Sequence, residues 1–275
     1  MTEWTMLLSA VKAPYSVYKN WGTINKWYKK LLVWANKGET NVVVTGAAGA
    51  GKTELTNCLH GEIKNHDYQE PKTSQLVERH AISIGEMTRI YSVIPGQDIA
   101  AREQGLNEAF NKHKGLEGVV HLVDYGFTTN RSTVVEEALI ADGVETIEQI
   151  REYNRKNELD EFKRVCDRIA ASISDKKGPK WLVIAVNKSD LYLDTLNDAQ
   201  RYYDLNGSSL FVDEISKLQK RVGTQNLKCY VVPVCTRAKP FIWNNIEVTP
   251  KLETFQESTI LMRNLVQTIA EADND

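Results

Sequence analysis

Gly46-Ala47-Ala48-Gly49-Ala50-Gly51-Lys52-Thr53 decides the reading of this chain. The stretch follows Val42-Val43-Val44-Thr45, a β-branched run of the kind that forms a buried parallel strand. It precedes Thr53–Leu59, where polar and apolar residues mix at helical spacing. The eight residues fit G-x-x-x-x-G-K-[ST] in the strand-loop-helix setting that this pattern requires. Gly46, Gly49 and Gly51 let backbone amides turn inward around a phosphate with no Cβ in the way. The helix N-terminus adds its partial positive charge. Lys52 supplies a point charge for the β and γ phosphates, and Thr53 a hydroxyl ligand for Mg²⁺. Ala47, Ala48, Ala50 and Glu54 complete the set of residues expected around the phosphates.

A phosphate loop does not choose between bases. That choice is read at Asn187-Lys188-Ser189-Asp190, which directly follows the apolar run Trp181–Val186. In an open α/β sheet, ligands sit beyond the carboxyl ends of the strands, where these four residues emerge. Guanine offers two adjacent donors, N1–H and the 2-amino group, and the Asp190 carboxylate can accept both. Adenine has an unprotonated N1 there and leaves the carboxylate facing a lone pair. Asn187 can tie the base edge to the loop, and the Lys188 stem can cover the purine face.

With both motifs in this order, residues from roughly 40 to 245 resemble a Ras-like small GTPase of the P-loop class. The resemblance implies a mostly parallel α/β sheet with helices on both faces, GTP and GDP as ligands, Mg²⁺ as cofactor and protein regulators and effectors as partners. It also assigns roles between the two anchors, in Tyr91-Ser-Val-Ile-Pro-Gly-Gln-Asp98. Gly96 would give its N–H to the γ-phosphate, and Gln97 would orient the attacking water as a catalytic residue beside Lys52. The usual acid of D-x-x-G-Q is replaced by Val93, which cannot hold Mg²⁺. The form Val-Ile-Pro-Gly-Gln is similar to the x-x-P-G-Q of bacterial gliding-motility small GTPases, which lack the acid too. By position, Thr73 is the candidate to close over the γ-phosphate and ligate Mg²⁺, with Ser74 as its alternative. No arginine stands just before Thr73, so slow intrinsic turnover with a partner supplying acceleration is expected. The last base-binding element corresponds by position to Cys235 and Thr236, after Tyr230–Val234; Cys235 is alternatively a buried strand-end thiol.

The rest of the chain sets bounds. At 275 residues, with 42% hydrophobic and 25% charged residues, it describes an ordinary soluble protein with one large core or one core with appendages. A net charge of −2 gives no global attraction to nucleic acid or membrane. Four cysteines without paired or metal-binding spacing suggest free thiols in a reducing cytosol, and a cytoplasmic location is expected. The expected strands are 41–45, 81–84, 88–93, 119–124, 181–186 and 228–234; the expected helices include 53–59, 99–112, 208–222 and 255–272.

Two regions exceed a minimal domain of this kind. Residues 130–175 read as two helices with solvated charged faces, or one extended helix with a helical insertion; Ile147, Ile150, Tyr153, Leu159, Phe162, Val165 and Ile169 supply the apolar positions. Residues 1–38 form a helical extension ahead of the 39–275 domain, with four of the six tryptophans and six lysines against the single acid Glu3. From Ile24, Trp27, Tyr28, Leu31, Trp34 and Ala35 share one helical face. Such a stripe packs on its own domain more often than it lies on a membrane, as the N-terminal helix of Arf-type GTPases does, and Thr2 excludes N-myristoylation. The functional expectation is a GTPase acting as a nucleotide-dependent switch; the alternatives are a GTP-binding interaction module with little hydrolysis, and an ATPase or kinase, which Asp190 disfavours.

Overall fold

Six strands account for the sheet: β1 (Thr40–Gly46), β2 (Glu78–Ile84), β3 (Met87–Val93), β4 (Leu116–Val123), β5 (Trp181–Val186) and β6 (Lys228–Pro233). They pair in the order β2-β3-β1-β4-β5-β6. Pairings from β3 through β6 are parallel, and β2 joins β3 antiparallel through Ile84–Met87. This is a computed structural model, and it describes residues 4, 40–60, 78–84, 87–93, 110, 116–130, 132–176, 178–252 and 255–274.

The sequence explains the layering. β5 is buried along its whole length, as an unbroken apolar run in a parallel sheet covered on both faces must be. Side chains alternate across it: Leu182, Ile184 and Val186 join a core with Phe162, Val165 and Ile169, whereas Trp181, Val183 and Ala185 join another with Leu55, Leu265 and Ile269. The first core lies under α3 (Ile147–Ser174) and α5 (Leu210–Val222), and the second under α1 (Lys52–His60) and α6 (Phe255–Asn274). Two helices flank these: α2 (Thr133–Ala141) and α4 (Leu196–Tyr203).

The charged region between β4 and β5 resolves into two helices, α2 and the 28-residue α3. Thr146 and Gln149 form a reciprocal capping box at the start of α3. With no Gly or Pro inside it, the helix runs about 42 Å at 1.5 Å per residue. Its apolar stripe is buried as expected except at Tyr153, which is 39% exposed. α2 itself buries no residue, and Val134 is 74% exposed.

Three expectations are corrected in detail. β4 begins at Leu116 rather than 119, since its first residues pair with Asn41 and Val42. The strand expected at 228–234 ends at Pro233, and the element order gains α4 and a hairpin of β7 (Phe241–Trp243) and β8 (Ile246–Val248). The hairpin turns at Asn244 and Asn245, both at positive φ (45° and 61°), as a two-residue turn between right-twisted strands demands. The helix expected at 99–112 lies outside the described residues except for Phe110, which is helical and buried; Trp4 is likewise helical and buried in the α3-side core. The aromatic face from Trp27 to Ala35 lies outside the described residues.

Candidate functional site

β1 delivers the chain to the phosphate loop at the carboxyl edge of the sheet. Gly46 has φ +137°, and a Cβ there would lie 2.4 Å from the Leu122 carbonyl oxygen of β4, so the turn out of the strand has room for no other residue. Gly51 has φ +95°, and a Cβ there would lie 2.7 Å from Asn187 Nδ2. α1 starts at Lys52, directly behind the loop. The buried Lys52 ammonium donates to the carbonyls of Gly46 and Ala47, each at 2.8 Å, and so points its charge along the loop's concave side. Thr53 is half-buried in the first turn of α1, and beside it Glu54 accepts an ion pair from Lys239 at 3.1 Å.

β5 ends beside this loop and hands over to Asn187. The Asn187 amide nitrogen donates to Ala50 O at 2.9 Å and to Thr236 Oγ1 at 3.3 Å, and its Oδ1 accepts from Thr236 N at 3.1 Å. One buried side chain therefore ties three segments that are remote in sequence. Lys188 takes the left-handed conformation (φ 55°, ψ 32°), turning the chain so that Ser189 and Asp190 fall back under the end of β6. Ser189 fastens this turn by donating from Oγ and N to Val234 O, and the Tyr192 hydroxyl donates to Val186 O and Asn187 O.

Asp190 is 1% exposed. Its Oδ1 accepts from the Cys235 thiol at 3.3 Å, but Oδ2 is buried and accepts no hydrogen bond. Burial is the main cause that pushes the Asp190 carboxyl up to about 6; the Cys235 thiol, the backbone amides of Asp190 and Lys239 and the Lys188 charge offset it only in part. An aligned buried acceptor without a donor is costly, and so it is a strong site for a ligand that brings donors. Burial next to this carboxylate also pushes the Cys235 thiol up, so it stays a neutral donor.

Every sequence-predicted residue among those described converges here: 46–54 from the phosphate loop and α1, 187, 188 and 190 from the β5 end, and 235 and 236 from the β6 end. Cys235 is both a fully buried strand-end thiol and the neighbour of Asp190. Thr73, Gly96 and Gln97 lie outside the described residues; the Val93 backbone closes β3 opposite Val44 of β1. A cavity of about 520 Å³ adjoins the loop at Ala47 and Ala48, walled by Thr128–Asn130, α2 and α3.

Among the described residues, no three His, Cys, Asp or Glu are grouped to hold a metal ion. The Thr53 hydroxyl at a helix N-terminus beside a phosphate site fits Mg²⁺, which prefers a few protein oxygens together with phosphates and water. The four cysteines are free thiols, and among the described residues no helix is long and apolar enough to cross a membrane.

The sequence profile described as "50S ribosome-binding GTPase" matches residues 41–178, half of the chain. The chain belongs to that GTPase family. The match covers the phosphate loop and ends before Asn187, whose amide reaches that loop at Ala50. No curated protein matches the chain. Similar solved structures include the FeoB G-domain from Methanococcus jannaschii, at 15% identity and TM-score 0.42, covering 87% of this chain and all of that one. A dimerisation-deficient mutant of Toc33 from Arabidopsis thaliana matches at 12% identity and TM-score 0.45, covering 90% of this chain and 92% of that one.

Several residues of the candidate site were given no role by the sequence reading. Ser189, Tyr192 and Lys239 brace the loops, and Asp124, at the end of β4, pairs with Lys188. Asp124 carried one usable signal: a carboxylate closing an apolar strand, Val119–Val123, belongs to the sheet edge where ligands bind.

Proposed function

We propose that this GTPase binds GTP, hydrolyses it to GDP and phosphate, and works as a nucleotide-dependent switch. The observation that carries the reading is the buried, donor-less Asp190 Oδ2, held next to the phosphate loop by Asn187. A guanine set against Asp190 supplies the two missing donors, while its phosphates follow the amides of Gly46–Thr53. Lys52, already aimed along the loop, exchanges its carbonyl partners for phosphate oxygens. The Lys188 stem covers a face of the base, and Thr236 with Cys235 borders its edge. Thr53 would hold Mg²⁺, which, when bound, neutralises phosphate charge; Thr73 is proposed as a second ligand. Gln97 orients the attacking water and Gly96 contacts the γ-phosphate, so that losing this phosphate releases the segments around residues 73 and 96. We read residues 1–38 as a helical extension that packs on its own domain and about 130–175 as a helical insertion, in a cytoplasmic protein that has protein regulators and effectors as partners.

A GTP-binding module with little hydrolysis is the second reading, favoured by Val93 at the end of β3, where an acid would help hold the ion. Binding of GTP, GDP and ATP with and without Mg²⁺, followed by single-turnover phosphate release from wild type and Gln97→Ala, tests both. Selective guanine binding with a Gln97-dependent rate supports the switch. Binding without release supports the module, and an ATP preference defeats both.

A further inference from the structure

Lys188 is held more tightly than a residue that merely covers a base needs to be. Its ammonium lies 2.5 Å from Phe127 O, 3.0 Å from Asp124 Oδ2, 3.1 Å from Thr129 Oγ1 and 3.3 Å from Gly49 O. Its three protons are met by Phe127 O, Thr129 Oγ1 and Gly49 O, and the Asp124 carboxylate stands beside them as an ion-pair partner. One of the four is charged. Asp124 is fully buried, and its other oxygen accepts from Thr128 Oγ1 at 2.7 Å. If the Lys188 ammonium swung toward solvent, it would leave a buried carboxylate without a cation, which is strongly unfavourable.

We propose that Asp124 is the positioning residue of the base site: its carboxylate fixes the Lys188 ammonium against Gly49 of the phosphate loop, so that the lysine stem is set in advance as one wall of the purine pocket. This rests on the guanine-nucleotide reading of the site and deepens it. Asp124 is itself held from α3. The Glu158 Oε1 accepts from the backbone amides of Asp124 at 3.3 Å and Gly126 at 2.9 Å, and Oε2 accepts from the Tyr203 hydroxyl at 2.5 Å. The Asn154 amide donates to Gly126 O and Thr128 O. Burial first, and then the Asp124 charge, push the Glu158 carboxyl well above the usual carboxylate range. Phe127, whose carbonyl is the nearest of these four atoms, is packed by stacking on Tyr192, an edge contact with Phe241 and the Arg151 guanidinium 4.3 Å above its ring.

The test uses the full chain with Asp124→Asn, Lys188→Met and the double variant. Asp124→Asn keeps the volume and an oxygen for Thr128; Lys188→Met keeps the stem without the charge. Dissociation of a fluorescent GDP and the affinity for inorganic tripolyphosphate are measured for each, with the thermal midpoint. Asp124→Asn is expected to speed GDP release by about 30-fold or more, the lower end of the effect on dissociation when one partner of a buried charge pair is lost. Tripolyphosphate affinity should change less than about threefold, whereas a general folding defect would weaken both ligands together. The double variant should release GDP no faster than Lys188→Met alone, because the two residues act as one unit. GDP release within about twofold of wild type for Asp124→Asn, or single effects that multiply in the double variant, overturns the proposal and leaves the guanine reading intact. A wild-type protein that binds tripolyphosphate but not GDP overturns both.

Discussion

Guanine-nucleotide affinity should fall on mild acidification because of Asp190. The ionised carboxylate is the form that accepts two donors, and in the free protein burial pushes its pKa up to about 6. Only the ionised fraction binds, so the apparent Kd is multiplied by about 1 + 10^(pKa − pH), which is roughly 1.1 at pH 7 and roughly 11 at pH 5. The tenfold loss corresponds to about 1.4 kcal/mol. An aspartate at its ordinary pKa near 3.9 would lose only about a tenth over the same range. The stability sign is the reverse: a raised folded-state pKa stabilises below about pH 4, and that contribution is lost as pH rises through about 6, so nucleotide binding relieves a cost present at neutral pH. Calorimetric titration of GDP between about pH 8 and pH 5 measures the slope, with Asp190→Asn as the control that cancels titration of the phosphates. That variant turns an acceptor into an amide whose N–H₂ confronts the guanine donors. Losing two charge-assisted bonds of about 1.5–3 kcal/mol each weakens GDP by at least about 100-fold. It should favour xanthine, which carries a carbonyl where guanine has its 2-amino group. Equal pH slopes for wild type and Asp190→Asn would refute the reasoning.

Asn187→Ala strands the buried Thr236 N–H and Ala50 carbonyl; we expect a loss of about 2–4 kcal/mol in urea unfolding, with GDP binding weakened in parallel. Gly51→Ala forces a positive φ of +95° on an alanine and a contact at 2.7 Å with Asn187, so a loss of about 1–3 kcal/mol is expected by thermal unfolding. An unchanged midpoint there contradicts the close approach. Buried His121, packed on Phe162 and bonded at Nδ1 to Thr45 Oγ1, has its pKa lowered to about 3, first by desolvation and then by the Lys52 charge. Its depressed folded-state pKa gives stability that is complete above the unfolded value of 6.5 and fades as pH falls toward 3. Unfolding free energies from urea titration of wild type and His121→Gln should therefore differ in pH slope below about pH 6, by up to about 1.4 kcal/mol per pH unit.

What the sequence made legible was chemistry carried by consecutive residues. Gly46–Thr53 and Asn187–Asp190 declare themselves because spacing along the chain fixes their geometry, and β5 is readable because its burial on both faces leaves no polar position. Contacts between remote segments were not legible. Asp124 meets Lys188 only because β4 and β5 are parallel neighbours in register, Val123 beside Val186. Glu158 reads as one more charge on a charged helix, and only folding shows its carboxylate turned inward onto Gly126. The hairpin of β7 and β8 did carry a local sign, Asn244-Asn245 between apolar residues, but its strands are too short to show alternation. Within the 130–175 region, charge content pointed to solvated faces, and its apolar spacing did not reveal that Tyr153 stays 39% exposed.

Asn187 gathers segments 137 and 49 residues away in the chain around one amide group. Closing loops of that length is an entropic cost met once, when the sheet folds, so a ligand arriving at the strand ends finds the gathering already done. The turn at Thr236 and the Ala50 carbonyl of the phosphate loop thus share one anchor, so a single amide sets where the base end and the phosphate end of a ligand lie relative to each other.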